Sequence, residues 1–210
     1  MAFVFLYALV KAYISFTFLL FMLPVVLDKT FKNKDYSKTG LPKAEYDNCT
    51  FEDCNFEESY LSTISFLECE FIDCNLTNTR LKETTFKDVS FIDCKMIGMP
   101  FYECNTFLLS FNFKNCNLDL AAFTNLKITA TVFDDCSLQQ TDFTETDLSK
   151  AQFDNCNLKN VVFDNSVLEG ADFRTANNFS FNPNNNKMKG AKFSQSNIIG
   201  LLDAHKIIIE

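Results

Sequence analysis

The side chains with chemistry to offer in this 210-residue chain are nine cysteines, one histidine and 27 carboxylates. Cysteines can staple a fold, hold a soft metal or act as nucleophiles. Nine is an odd number, and a chain of this length can build a core without disulfides. Their spacing says more. Cys54, Cys74 and Cys94 lie 20 apart, as do Cys116, Cys136 and Cys156, and a step of 22 separates the two runs. Cys49 and Cys69 repeat the 20. None of this is C-x-x-C chelate spacing. His205 stands beside Lys206 at the end of the chain and reads as a surface residue rather than a base. The adjacent acids Glu57-Glu58 and Asp134-Asp135 fall in turn-like segments, with no sign of a pocket. No nucleophile elbow, P-loop or dinucleotide fingerprint occurs. The expectation is a non-enzyme with no catalytic residue, no metal and no cofactor.

What the 20-residue spacing describes is an internal repeat. Phe51-Glu-Asp-Cys-Asn-Phe56 aligns with Phe71-Ile-Asp-Cys-Asn-Leu76, Phe91-Ile-Asp-Cys-Lys-Met96 and Phe113-Lys-Asn-Cys-Asn-Leu118. It aligns again with Phe133-Asp-Asp-Cys-Ser-Leu138 and Phe153-Asp-Asn-Cys-Asn-Leu158. Within each 20 runs a finer period of five, with Phe or Leu at most centres and a small residue two before each. Neither a helix nor a strand repeats every five residues. Four sides of five residues make a coil of 20. Each centre and its small partner point inward, and Asp, Asn, Ser and Thr turn the corners. Phe51, Phe71, Phe91, Phe113, Phe133 and Phe153 form one core ladder. Cys54, Cys74, Cys94, Cys116, Cys136 and Cys156 form the small ladder beside it, as core filler. Much of the excess of Phe, 25 in all, is thereby explained.

This pattern resembles the pentapeptide-repeat family, whose motif is Ala/Cys, Asp/Asn, Leu/Phe and two variable residues. Cys116-Asn-Leu-Asp-Leu120, Thr146-Asp-Leu-Ser-Lys150, Ala151-Gln-Phe-Asp-Asn155 and Ala171-Asp-Phe-Arg-Thr175 match it well. The resemblance covers about residues 29–200. It implies an all-β fold, a right-handed quadrilateral parallel β-helix of about eight coils. Residues 28–200 form the β-helix, with a bulge near 102–107 where the register slips by two and a loop at 174–186. Residues 201–210 form a C-terminal cap. In the Qnr-like branch of the family such a cap also makes a homodimer, here through Ile198, Ile199, Leu201, Leu202, Ile207 and Ile208.

Residues 1–27 stand apart. They are apolar, carry one charge, Lys11, and are long enough to span a bilayer as a helix. Lys29, Lys32, Lys34 and Lys38 follow, so a membrane anchor at residues 2–27 would leave the rod in the cytoplasm. The competing reading starts the protein at Met22 as a soluble cytoplasmic chain. Both stay open at this stage.

Charge is unevenly spread. The net −8 averages over residues 44–173, which hold 23 acids against eight bases, while both flanks are basic. Asp53, Asp73, Asp93 and Asp135 recur at one corner, with Asn115 and Asn155 between them. A pI near 4.7 argues against direct nucleic-acid binding. An acidic rod of about duplex width suggests the reverse role, a DNA mimic. The resemblance to Qnr-like proteins implies a type II topoisomerase such as gyrase as partner. The alternative is a scaffolding rod with no topoisomerase role.

Overall fold

The computed structural model describes residues 23–203, 206 and 207. The apolar segment expected to anchor or precede the rod lies almost wholly outside the described residues, as do His205 and Ile208. No helix among the described residues is long and apolar enough to cross a membrane.

The chain winds into a four-sided parallel β-solenoid. Its strands are β1 (Val25–Leu27), β2 (Thr30–Lys32), β3 (Glu45–Asp47), β4 (Thr50–Glu52), β5 (Ser65–Leu67) and β6 (Glu70–Ile72). They continue as β7 (Thr85–Lys87), β8 (Val89–Ile92), β9 (Phe111–Lys114), β10 (Val132–Asp134) and β11 (Gln152–Asp154). One sheet runs β1-β3-β5-β7 and the other β11-β10-β9-β8-β6-β4-β2. All pairs are parallel and in register, Phe51 on Phe71 and Phe71 on Phe91. The other two sides are held by isolated bridges such as Asn55↔Asn75 and Ala122↔Asp142. Strand pairing in the seven-stranded sheet spans about six coil-to-coil steps, fewer than the eight coils expected. Single bridges, Gln152↔Asp172 and Asp172↔Lys192, extend that side further.

The five-residue period has a backbone cause. From Asn48 to Asp93 every fifth residue is left-handed, with φ between 50° and 63°. The rule resumes at Asn115 and runs to Asn165. Asn and Asp tolerate this conformation better than other side chains, so few glycines are needed. Most corner N–H groups then meet a carbonyl of the next coil, as Asp53 N does at Ile72 O, 3.0 Å away, while those of Asp88 and Asn155 meet the hydroxyls of Ser110 and Thr175.

Inside, like stacks on like. Nine phenylalanines form one column, Phe31-51-71-91-113-133-153-173-193, with ring centroids 4.7 to 5.3 Å apart and rings nearly parallel. Neighbouring columns meet edge-on, as Phe51 and Phe56 do at 71°. Each such pair adds about 0.5–1.5 kcal/mol beyond the area it buries. The small columns bond as well as fill. The thiols of Cys54, Cys74, Cys94 and Cys116 point at the carbonyls of Phe31, Phe51, Phe71 and Phe91, 3.3 to 3.4 Å away. On other sides Thr79, Thr84, Thr141 and Thr146 donate to the equivalent carbonyls at 2.8 to 2.9 Å. This is why Cys and Thr serve at the inward small position: each hydroxyl or thiol fits the space and satisfies a buried carbonyl.

The two irregular segments keep the core full by another route. Above Tyr46, Phe66 and Phe86 the next centre is Leu108, which is 57% exposed. Phe111, from the small column of Cys49, Cys69 and Val89, is 2% exposed and packs on Phe101 and Phe113 at 5.3 and 5.1 Å. Phe181 does the same where Pro183 takes a centre position, packing 4.9 Å from Phe163. The segment expected to be a loop at 174–186 therefore places Ala176, Phe179 and Phe181 in the core, and its excursion is a short 3-10 turn at Pro183–Asn185. Of the four phenylalanines that fall off the five-residue centres in these two segments, Phe107, Phe111, Phe179 and Phe181, Phe107 alone is exposed.

Candidate functional site

Position in the coil decides which chemistry each side chain can perform. The cysteines are all free and buried. Burial pushes the Cys69 thiol up to about 12 and holds Cys104 high as well. A buried neutral thiol such as that of Cys69, which faces the Tyr46 carbonyl at 3.3 Å, is a poor nucleophile and a poor ligand. Among the described residues no cluster of three or more His, Cys, Asp or Glu is arranged to hold a metal. Glu57 and Glu58 are exposed corner neighbours, and the Asn75 amide bonds Glu57 at 3.1 Å.

The acids of the Phe31–Phe193 side are organised differently. Asp53, Asp73, Asp93 and Asp135 have φ of 52°, 53°, 56° and 52° and are all exposed. The parallel register stacks them along one edge of the long sheet, one coil apart at ~4.8 Å, with Asn115 and Asn155 at the interruptions. The Asn115 amide bonds Asp93, which separates that carboxylate from the next position. The same register puts Glu52, Glu70, Asp134, Asp154 and Asp172 on the outer surface of this sheet. This side thus carries nine of the 23 acids of residues 44–173 and one of their eight bases, Lys114.

The ends of the row are neutralised and its middle is not. Lys32 pairs with Glu52 at 2.5 Å. Arg174 grips Asp172 with bonds of 2.8 to 3.1 Å, and Lys192 adds a contact at 3.5 Å. The bond from Arg174 holds the Asp172 carboxyl below the usual range. Asp53, Glu70, Asp73, Asp93, Asp134, Asp135 and Asp154 make no ion pair among the described residues. Slight desolvation by its neighbours, then the charges of Asp93 and Asp53 on either side, push the Asp73 carboxyl above the usual range. A row of like charges in that state favours cations and basic surfaces.

At the C-terminal end the regular donors are replaced by asparagines of longer reach. Asn186 donates to Phe163 O at 3.0 Å, and Asn197 donates to Phe173 O at 2.7 Å and Ala176 O at 2.9 Å. A 3-10 turn, Ile198–Leu201, then folds over the last coil. Leu201 is buried and Leu202 half-buried, while Ile198, Ile199 and Ile207 are exposed. A Cβ on Gly200 would fall 2.0 Å from Phe179 O, so only glycine allows this close approach. An open groove of about 810 Å³ runs between Arg174–Ser180 and Ser194–Asp203.

The geometry of the described residues defines a class: a filled parallel β-solenoid whose usable surfaces are its sides and ends. The chain belongs to the pentapeptide-repeat family. The family described as a pentapeptide repeat region matches residues 44–112 and 106–173. Two trypsin-treated variants of QnrB1, a plasmid-mediated fluoroquinolone resistance protein, share the fold. One is 13% identical with a TM-score of 0.57, covering 90% of this chain and 99% of the other. The second is 14% identical with a TM-score of 0.56, covering 90% and 100%. No curated protein matches the chain.

Sequence reasoning found the Asp column and both core ladders. It missed the Glu70, Asp134, Asp154 and Asp172 contribution to the same side, and the Arg174–Asp172–Lys192 cluster. The signal was available: once the 20-residue register is laid out, those acids fall one place either side of the Phe column.

Proposed function

We propose that this chain is a non-enzymatic binding rod whose acidic side docks into the basic DNA-binding saddle of a type II topoisomerase, as a mimic of DNA. The observation that supports this reading is the row of seven carboxylates on the long sheet without cationic partners among the described residues. A rigid row of charge at fixed rise presents its field without paying ordering entropy. Such a field steers association and makes it steeply salt-dependent. The fluoroquinolone-resistance description of QnrB1 adds the drug phenotype to test.

The experiment is a gyrase supercoiling assay with and without a quinolone across a salt series. The reading expects protection or inhibition that fades as salt rises. The variant Asp53→Lys/Asp73→Lys/Asp93→Lys should abolish that effect while keeping the fold, because all three side chains are exposed. A wild-type protein without effect on the enzyme leaves a scaffolding rod as the function. An unchanged effect in the triple variant moves the contact to another surface.

A further inference from the structure

The acidic row is broken in the middle. Glu52, Asp53, Glu70, Asp73 and Asp93 lie on one side of the break, and Asp134, Asp135 and Asp154 on the other. Between them the outer surface carries Ile92, Asn112, Lys114, Asn115 and Val132. A shallow groove of about 230 Å³ opens here, lined by Ser90, Ile92, Asn112, Lys114, Val132 and Asp134.

The bulge is the structural origin of this groove. The two extra residues expel Leu108 and draw Phe111 into the core at the first position of β9. The ladder suffers one residue later. β10 pairs with β9 only at Phe133↔Phe113 and Asp134↔Lys114. Val132, outside that register, gives its N–H to the Asn112 side-chain oxygen at 3.0 Å. With the Asn112 side chain turned onto the ladder, Ile92 and Val132 border the groove diagonally, two coils and two residues apart, with Asn112 and Lys114 of β9 between them.

We propose that this groove seats one apolar side chain of a basic protein partner, with the partner's Lys and Arg residues pairing with the acidic lobes on both sides. The inference rests on the acidic side being the docking surface, and it makes that surface specific for protein over simple polycations. Charge complementarity sets the flanks and the half-buried aliphatics set the centre. Asp93 and Asp135 are two coils apart, about 10 Å at the inter-strand rise. An extended peptide covers that distance in three residues at about 3.4 Å each. The recognised pattern is therefore two basic runs separated by about three residues, the middle one aliphatic or aromatic.

Two synthetic peptides test it, each with two tetralysine blocks, joined by Gly-Phe-Gly in one and Gly-Ala-Gly in the other. Affinity is measured by calorimetry at low salt. The Phe peptide should bind about tenfold tighter, equivalent to about 1.4 kcal/mol. In Ile92→Thr/Val132→Thr that preference should vanish while the Ala peptide binds as before; Thr keeps the β-branched shape that suits a strand. Equal affinities on the wild-type protein, or a preference that survives in the double variant, overturn the groove. Asp53→Lys/Asp73→Lys/Asp93→Lys should weaken both peptides together, leaving their ratio intact. Failure of both peptides to bind the wild-type protein overturns the acidic docking surface and the groove with it, whereas equal binding overturns the groove alone.

Discussion

The coils of β3 to β8 and the coil that carries the bulge fill the same interior by different rules. In the first, position decides everything: Phe66 sits on Phe86 and Cys69 lies beneath Val89, each residue directly over its counterpart. In the second, the centre residue Leu108 leaves and the small-column residue becomes Phe111. Phe181 and Pro183 repeat the exchange near the C-terminal end. What is conserved along the rod is occupied volume, and a ring can enter from either inward position. Dispersion explains the preference, since a void too small for water forfeits its contacts outright.

The sharpest way to break this comparison is to remove the compensating ring. Phe111→Ala should cost about 3–5 kcal/mol in urea unfolding, while Leu108→Ala should change stability by less than about 0.5 kcal/mol. Comparable costs for the two would mean that Phe111 is not filling the vacated site. A smaller effect comes from the regular coils. Cys136→Leu should destabilise by about 1–3 kcal/mol through overpacking between Cys116 and Cys156. Cys136→Ala should cost less than that, since no large group enters. Equal small effects would remove Cys136 from the inward column.

The smallest effects lie in the acids, where two positions of one side should titrate in opposite senses. Asp172 is held low by Arg174, so its stabilising pairing is complete above the usual carboxylate range and is lost as pH falls through its lowered value. Asp73 is held high, so its contribution favours the fold most at acid pH and is lost as pH rises through its raised value. Asp73→Asn should then raise Tm at pH 7, with the gain fading toward pH 3 and in high salt. Asp172→Asn should lower Tm at pH 7, with the loss fading on acidification. Parallel pH profiles for the two variants would refute the opposed environments.

Much of this molecule is legible in its residues because the solenoid repeats one local rule. Asn or Asp at many corners, Phe or Leu at most centres and a small residue such as Cys, Ala, Ser or Thr two before most of them each have a local physical cause. Parallel stacking then carries the same rule from coil to coil. Cys54 through Cys156, Phe51 through Phe153 and the Asp53, Asp73, Asp93 and Asp135 edge follow from that rule. The exceptions are less legible. A two-residue slip announces that one coil differs, but Leu108 and Phe111 are both large apolar side chains, and linear order does not say which one turns inward. The C-terminal segment is obscure for a related reason: Ile198, Ile199 and Leu201 look equivalent as a string. The 3-10 turn and the contact of Gly200 with Phe179 select Leu201 for burial.

By itself the sequence determined the period, the identity of the inward columns and the corner that carries the Asp column, because each depends on residues close together in the chain. Tertiary structure alone decided which acids meet Lys192 or Lys32, and that Ile92, Asn112 and Val132 border a gap. Those facts depend on contacts between residues 20 or more positions apart. They are settled only when each coil lands on the one before it and the two inserted residues choose which side of the wall to occupy.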